Sequence, residues 1–498
     1  MTRLGFLIDN RRCIGCHACT VACKSEHDVP IGVNRTWVKQ VETGAFPDVR
    51  RSFHVMRCNH CADSPCTTIC PVTALYVRTD GIVDFDNRRC IGCKACMQAC
   101  PYDALYIDPR NHTAAKCNFC SHRVDRGLEP ACVVACPEQA IVAGDLSDPG
   151  SFIAQLVATE PVQVRCAEKG TRPSLFYIDG QPSALDPLAS SPPGRGNTVD
   201  VRPLQGLGVA GFLDAGAADG KEGARRVYDA PKAGVLWGWP VSAYLLTKAV
   251  AAGALLVPLF AATVLGAAPP AELLLRCGLL SLVLQAATGA LLVVDLKRPD
   301  RFLYVLLRGN PRSWLVRGAW ILTAFGLASS SWLLLTWRGT GVPAALAWAT
   351  WLLALPTAAY TAFLFRQAKA RDLWQSPLAP FHMLAHAVVG GGAACVLLAP
   401  DWPTARAALL GGVIADAVLA VGEVALPHGS RAARLAAREI RAGRGAWRFA
   451  LSWAATGAAL ALLSGHFELA ATAAVLAVAA VAVRNDLWVR VPQTLPIS

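Results

Sequence analysis

The chain has 498 residues, of which 54% are hydrophobic and 16% charged, with a formal net charge of +12. Soluble globular proteins carry about 25% charged residues, and here 17 of the 19 cysteines precede residue 181, whereas 27 of the 47 Lys and Arg residues follow it. These figures exclude a single soluble domain, a disordered chain and a nucleic-acid-binding protein.

The N-terminus lacks the hydrophobic stretch of a secretory signal, because Arg11-Arg12 leads directly into Cys13. We therefore expect no export signal on this chain.

Sixteen cysteines then follow in four groups. The third group has the spacing C-x2-C-x2-C-x3-C before Pro101, the ferredoxin pattern in which three thiolates bind one iron–sulfur cube and the fourth reaches a neighbouring cube. Each of the other groups also offers three cysteines for one cluster and a fourth for a neighbouring cluster, so the sixteen thiolates predict four [4Fe-4S] clusters. The groups are Cys13, Cys16, Cys19, Cys23; Cys58, Cys61, Cys66, Cys70; Cys90, Cys93, Cys96, Cys100; and Cys117, Cys120, Cys132, Cys136.

If the pairing follows two-cluster ferredoxins, the groups exchange their fourth ligands. Cys70 then joins the third group and Cys100 the second, while Cys136 completes the first cluster and Cys23 the fourth. Zinc ribbons are the alternative, but a tetrahedral ion needs two cysteine pairs, and a regular triplet would be superfluous. Cys166 is expected to be a structural thiol.

Four cubes in one small domain form a path for single electrons. The sequence shows no catalytic acid, base or nucleophile constellation. A redox enzyme is therefore expected at one end of this path and an electron acceptor at the other.

A segment rich in Pro, Gly, Ser and Ala, predicted as a flexible linker over 181–235, separates the first domain (1–180) from the second half. The second half contains eight apolar stretches long enough to cross a bilayer as helices. We therefore predict a transmembrane domain over 236–486 and a cytoplasmic tail over 487–498. The predicted spans are 237–265, 272–295, 315–337, 342–365, 379–399, 404–426, 447–465 and 467–484.

Charged residues between the spans predict the orientation. An even number of spans puts both ends on one face, and that face receives seventeen Lys and Arg residues, in the segments 297–317, 366–371, 431–448 and 484–490. The other face receives at most three, Arg276, Arg338 and Arg406. The positive-inside rule then places the iron–sulfur domain in the cytoplasm of a prokaryote, with the spans in the inner membrane.

Residues 1–180 resemble the four-cluster electron-transfer subunits of the dimethyl sulfoxide and polysulfide reductase family. The second half resembles the NrfD/PsrC family of quinone-reactive membrane subunits, on the strings Trp237–Tyr244, Asp295–Phe302, Asn310–Ser313 and Tyr360-Thr-Ala-Phe-Leu-Phe. The two resemblances imply an α+β duplicated bacterial-ferredoxin-like domain followed by an all-α bundle of eight transmembrane helices. The fusion of two normally separate subunits is unusual, as is the cytoplasmic face, since the polysulfide reductase assembly faces outward.

The same resemblance implies a quinone pocket lined by Tyr244 and Lys248 on the first span and by Tyr360 on the fourth. Tyr244 stands where polysulfide reductase looks to have a histidine. A phenol or an ammonium can hydrogen-bond quinone carbonyls and stabilise the charge that develops on reduction. The alternatives are an interfacial tyrosine for Tyr244 and a lysine reaching the membrane surface for Lys248.

Ionisable residues also occur deeper in the second half. Asp416 and Glu423 on the sixth span, and His382 and His386 on the fifth, are spaced to share helix faces. They either pass protons or pair within the bundle. Haem is not expected, because bis-histidine ligation needs histidines on opposing segments.

We thus predict an electron-transfer and quinone-reactive oxidoreductase subunit. Its partners are a molybdopterin catalytic subunit containing molybdenum or tungsten, membrane menaquinone or ubiquinone, and the lipid bilayer, with no nucleic acid. The alternatives are a proton-translocating module driven by the quinone reaction, and a passive membrane anchor with an electron-relay domain.

Overall fold

The computed structural model describes residues 2–190, 224–230, 234–425, 427–443, 445–465 and 467–497. The chain divides into one unit of residues Met1–Gly234 with Pro496–Ser498, and another of residues Val235–Leu495. Most of the predicted linker, residues 191–223 and 231–233, lies outside the described residues.

Short strands form the framework of the first unit. A four-stranded sheet has the order β8-β1-β10-β9, with β1 parallel to β10 and antiparallel to β8. A three-stranded antiparallel sheet has the order β11-β2-β3, and the pairs β4-β5 and β6-β7 are hairpins. The strands are β1 Leu4–Asp9, β2 Thr36–Thr43, β3 Arg50–Arg57, β4 Leu75–Val77, β5 Val83–Phe85, β6 Leu105–Ile107, β7 Ala114–Lys116, β8 Ile141–Asp145, β9 Val162–Gln163, β10 Leu175–Ile178 and β11 Arg225–Tyr228.

Helices of the first unit are short and most of them carry cysteines. The second and third cysteine groups each form a helix followed by a hairpin, so the same pattern occurs twice, as the duplicated ferredoxin-like fold requires. The helices are α1 Ala18–Glu26, α2 Pro65–Ile69, α3 Ala95–Ala99, α4 Ser121–Val124, α5 Ala131–Val134, α6 Phe152–Thr159 and α7 Pro182–Leu185. The predicted linker thus contains ordered pieces, α7 at its start and β11 near its end.

The second unit is helical, and among its described residues eight helices are long and apolar enough to span a membrane. The predicted fold class and number of spans are confirmed. The eight are α8 Trp239–Thr263, α9 Ala271–Val294, α11 Trp314–Arg338, α12 Ala344–Gln367, α13 Ala379–Leu398, α14 Pro403–Ala425, α16 Ala446–Gly465 and α17 Ala470–Arg490; the connections include the shorter helices α10 Tyr304–Leu307 and α15 Arg431–Ala442.

Small residues allow the central helices to approach closely. A Cβ atom added to Gly253 of α8 would lie 1.9 Å from the carbonyl oxygen of Ala387 on α13. With glycine at this position, the two backbones can pack at a distance that larger side chains would prevent, as is common between membrane helices.

The end of the chain differs from the predicted tail. Helix α17 continues to Arg490, and a 3-10 turn follows over Val491–Thr494. The Oε1 atom of Gln493 accepts hydrogen bonds of 2.9 and 3.0 Å from the N–H groups of Leu236 and Trp237. These N–H groups lie just before α8, so the two bonds hold the 3-10 turn beside the start of that helix. Arg484, which the charge count assigns to a surface segment, lies buried within α17.

Candidate functional site

The first and third cysteine groups have the same loop conformation. Gly15 and Gly92 have φ angles of +70° and +68°, and His17 and Lys94, which follow the second cysteine of each group, have φ angles of 61° and 62°. Left-handed residues turn backbone N–H groups inward, an arrangement typical of iron–sulfur sites. A Cβ atom at Gly15 would lie 2.3 Å from the Phe53 ring, so the close packing of this loop requires glycine.

Cysteines from different groups come together in the folded unit. One cavity is lined by Cys13, Cys16, Cys19 and Cys136, and another by Cys70, Cys90, Cys93 and Cys96. The thiols that act electrostatically on Cys23 are those of Cys117, Cys132 and Cys120, and those that act on Cys66 are Cys100, Cys58 and Cys61. The two quartets that line cavities have the membership that the exchange of fourth ligands predicts, and the ligand sets of the four clusters stay a prediction.

The cysteines of a quartet surround a cavity and do not converge on a single position. Among the described residues, no group of three or more His, Cys, Asp or Glu side chains is close enough to hold a single metal ion. A [4Fe-4S] cube binds each thiolate at a different iron, so it needs ligands arranged around a cavity. The cavities lined by two complete quartets therefore fit this group.

The cysteines that precede a proline share a turn. The N–H of Ala74 donates to Cys70 Sγ at 3.2 Å, and the N–H of Ala140 donates to Cys136 Sγ at 3.3 Å. In both turns the donor lies four residues after the cysteine. Such bonds lower the cost of negative charge on sulfur and tune the reduction potential of a bound cluster.

Burial is the main influence on the pKa of these cysteine thiols. It raises the pKa of Cys19 to about 11 and that of Cys61 to about 12, since a thiolate loses hydration in the interior. Without bound iron these thiols are therefore protonated at neutral pH, and cluster binding must displace their protons.

Arg57 and Lys116 are fully buried cations close to the cysteines, and sequence reasoning missed both. The Arg57 side chain is fully buried, its Nη1 atom donates to Cys132 Sγ at 3.1 Å, and its guanidinium lies 4.4 Å from the centroid of the Phe6 ring. Lys116 is also fully buried and donates to the carbonyl oxygens of Val83 and Cys117. The only sequence signal was that Arg57 and Lys116 directly precede Cys58 and Cys117.

Histidines near the cysteines make hydrogen bonds. His60 Nδ1 accepts from the N–H of Val83 at 3.2 Å, and His122 Nε2 lies 2.7 Å from Glu26 Oε1. His27, which the sequence did not single out, has its Nε2 atom 3.1 Å from Cys120 Sγ.

In the second unit, the residues of the predicted quinone pocket lie together. Lys248 of α8 is buried, and its Nζ atom donates to the Ala358 carbonyl oxygen at 2.9 Å and to Thr361 Oγ1 at 2.5 Å. The same atom lies 4.4 Å from the centroid of the Tyr360 ring. Tyr244 is buried beside Tyr360 and Thr361. Lys248 therefore points into the bundle rather than to the membrane surface, and Thr361 is a member that the sequence did not reveal.

The other ionisable residues predicted in the spans belong to a second buried group, to which α13, α14 and α17 contribute. Asp416 is 1% exposed and forms an ion pair with Arg484, whose Nη1 atom also donates to Thr456 Oγ1 at 2.8 Å. His386 Nε2 lies 3.0 Å from Asp416 Oδ1 without hydrogen-bond geometry. Glu423 Oε2 accepts from Ser376 Oγ at 2.7 Å. Asp416 and Glu423 thus have different partners, although they share a helix.

Comparisons with known proteins agree with this division of the chain. Residues 49–146 match the family described as 4Fe-4S dicluster domain, and residues 230–489, just over half of the chain, match the family described as polysulphide reductase, NrfD.

Individual relatives match the first part. A tetrathionate reductase subunit of Salmonella typhimurium is 45% identical over 190 residues, which cover 37% of this chain and 76% of that protein. The arsenate respiratory reductase iron–sulfur subunit ArrB of a Shewanella species is 36% identical over 228 residues (35% and 96%). The protein NrfC of Escherichia coli is 41% identical over 179 residues (35% and 80%). The resemblance predicted from the sequence is therefore confirmed for both halves.

Proposed function

We propose that this chain, which belongs to the NrfD polysulphide reductase family, carries electrons between a catalytic partner and membrane quinone. The chain joins an NrfD membrane domain to an iron–sulfur electron-transfer domain like those of reductase subunits. The observation that carries the proposal is that cysteines from different groups line common cavities in a chain that also has, among its described residues, eight helices long and apolar enough to span a membrane.

Each quartet would hold one [4Fe-4S] cluster, which supplies reversible one-electron transfer when bound. The chain's own residues position the thiolates, bury twelve of the sixteen cysteines and donate backbone N–H groups to several of the sulfurs. The proposed ligand sets are Cys13, Cys16, Cys19, Cys136; Cys58, Cys61, Cys66, Cys100; Cys70, Cys90, Cys93, Cys96; and Cys23, Cys117, Cys120, Cys132.

For the quinone we propose the group around Lys248. An ammonium has three N–H donors, and the bonds to Ala358 and Thr361 use two of them. The third is available to a quinone oxygen, and the positive charge would favour the reduced, more negative oxygen. The phenols of Tyr244 and Tyr360 would supply further hydrogen bonds to the same headgroup.

The proposed catalytic partner is a separate subunit, because the chain's own residues suggest only electron transfer and quinone chemistry. We propose that this subunit contains molybdopterin with molybdenum or tungsten, as the resemblance to the dimethyl sulfoxide and polysulfide reductase family implies. For orientation we propose a cytoplasmic iron–sulfur domain. Even with Arg371 and Arg484 removed from the count because they are buried, fifteen basic residues remain on the proposed cytoplasmic side against at most three on the other.

Anaerobic purification in mild detergent tests this proposal. Four clusters would give about sixteen iron and sixteen acid-labile sulfide per chain, and electron paramagnetic resonance of the dithionite-reduced protein should then show a signal that added quinone abolishes. Far less iron, or clusters that quinone leaves reduced, would contradict the proposal. Mass spectrometry and metal analysis of the co-purifying large subunit test the molybdenum or tungsten partner.

A second candidate function is proton translocation coupled to the quinone reaction. It is favoured by the buried line of Glu423, His386, Asp416 and Arg484, because ionisable groups inside a membrane are costly and commonly functional. Vesicles containing the whole complex and a pH-sensitive dye would test it. We expect Glu423→Gln to lower the number of protons moved across the membrane per quinone turned over; an unchanged ratio would exclude this role.

A further inference from the structure

The second unit contains a cavity whose described lining residues do not include Tyr244, Lys248 or Tyr360. It is enclosed by α13, α14, α16 and α17 and covered by α15, whose Ala437 and Ile440 face into it. The space in it that the centre of a water-sized sphere can occupy is about 50 Å³, whereas one ordered water requires about 10–15 Å³. The cavity therefore has room for more than a single water molecule.

Several buried polar atoms at this cavity have no hydrogen-bond partner within the part of the chain that the structure describes. They are His382 Nε2, Glu423 Oε1, Arg484 Nε and Asn485 Nδ2. Glu423 and Asn485 are 5% exposed and Arg484 is 8% exposed. A buried polar atom without a hydrogen-bond partner is unfavourable, so four such atoms around one space point to an occupant that satisfies them.

Charge and hydrogen-bonding capacity restrict the chemistry of that occupant. Arg484 is already paired with Asp416, and Glu423 adds a carboxyl group, so the lining has no spare positive charge to hold an anion such as a lipid phosphate. Arg484 Nε and Asn485 Nδ2 are donors that require an acceptor. Glu423 Oε1 and His382 Nε2 can accept from a hydroxyl group. The lining therefore suits a neutral molecule that carries carbonyl or hydroxyl oxygens.

The remaining walls are apolar and partly aromatic. Met383, Phe449 and Trp488 line the cavity together with Leu373 and Leu487. Flat aromatic surfaces and a flexible thioether favour a planar ring. The neutral, planar molecules with two oxygen substituents that dissolve in a membrane are quinones and quinols.

We propose that this cavity is a second binding site for a quinone or quinol headgroup, separate from the group around Lys248, an inference that rests on the proposed quinone function. The headgroup's oxygens would accept from Arg484 and Asn485, and in the quinol form would donate to Glu423 and His382.

Photolabelling of the full chain in phosphatidylcholine nanodiscs with an azido derivative of decylubiquinone tests the proposal. We expect labelled peptides from α13 and α17 in addition to labelled peptides from α8 and α12. Ala437→Phe would fill the cavity and should lower labelling of α13 and α17 at least tenfold, while labelling of α8 and α12 stays unchanged. Ala442→Phe, at an exposed position of the same helix, is the matched control and should change neither.

Asn485→Leu removes a donor without enlarging the side chain greatly, so it provides an independent variant if Ala437→Phe fails to fold. It should lower labelling of α13 and α17 at least threefold. Labelling confined to α8 and α12, or labelling of α13 and α17 that both variants leave unchanged, would overturn the second site, and the cavity would then hold water only. No labelling at either place, together with clusters that quinone cannot oxidise, would instead contradict the proposed function.

Discussion

Arg57 and Lys116 of the first unit contact sulfur and carbonyl oxygen, whereas Arg484 of the second unit is paired with a carboxylate. Arg57 donates to Cys132 Sγ, and Lys116 donates to the carbonyl oxygens of Val83 and Cys117. In the second unit, Arg484 forms an ion pair with Asp416 on another helix, while Lys248 is held by Ala358 and Thr361. The charge of Arg57 is thus directed at a cysteine of the first unit, while that of Arg484 is neutralised within the second.

Removing one ligand should have the largest effect. Cys96→Ser deletes a thiolate from the quartet of Cys70, Cys90 and Cys93, and a neutral hydroxyl is a poor ligand for iron. We expect at least four of about sixteen iron atoms to be lost, measured by iron and sulfide analysis of anaerobically purified protein. Cys166→Ser, outside every quartet, is the control and should retain full iron. Full iron in Cys96→Ser would contradict this ligand assignment.

Breaking the ion pair between Asp416 and Arg484 should lower the stability of the protein and leave its iron content unchanged. Asp416→Asn leaves the Arg484 charge buried and unpaired, which typically costs about 3–5 kcal/mol. Thermal unfolding in detergent should therefore occur at a distinctly lower temperature.

Two further variants check the cause of that loss. Asp416→Leu combined with Arg484→Met removes both charges and should recover most of the stability. Glu272→Gln removes one member of an exposed pair with Arg276 and should change the free energy of unfolding by no more than about 1 kcal/mol. If Asp416→Asn were as mild as Glu272→Gln, the buried pair would have no stabilising role.

A difference between local and remote contacts explains what the sequence could predict. The cysteine groups follow from spacing, because the shared spacing of the first and third groups gives the same loop conformation, and apolar runs similarly define the eight spans. The partner of Asp416 is 68 residues away on α17, and Thr361 meets Lys248 across 113 residues. Such pairs depend on how helices rotate against each other, which spacing along one helix does not determine. The same reason hid Arg57, whose sulfur contact is 75 residues away.

Replacing Lys248 should affect the quinone reaction and leave the clusters intact. Lys248→Ala removes the proposed donor to the quinone oxygen, and we expect oxidation of reduced clusters by decylubiquinone to slow about a hundredfold to a thousandfold, the effect typical of one lost electrostatic donor. Stopped-flow absorbance measures this rate, and iron content should match that of the wild type.

Lys369→Ala, at an exposed position after α12, is the control for that experiment and should leave the rate unchanged. An unaltered rate in Lys248→Ala would favour a passive anchor, with quinone reacting elsewhere.

Replacing Arg57 should give the smallest effect, and it tests whether the two units differ as described. A buried positive charge beside Cys132 stabilises the reduced, more negative cluster, so Arg57→Met should lower the midpoint potential of the nearest cluster. A tenfold change in the reduction equilibrium corresponds to about 59 mV for one electron, and potentiometric titration followed by electron paramagnetic resonance resolves a shift of that size. Arg57→Lys keeps the charge and should shift the potential less. Arg51→Met, on the same strand but paired with Glu42 at the surface, should not shift it. Equal potentials in all four proteins would mean that Arg57 fills space in the first unit without directing its charge at a cluster.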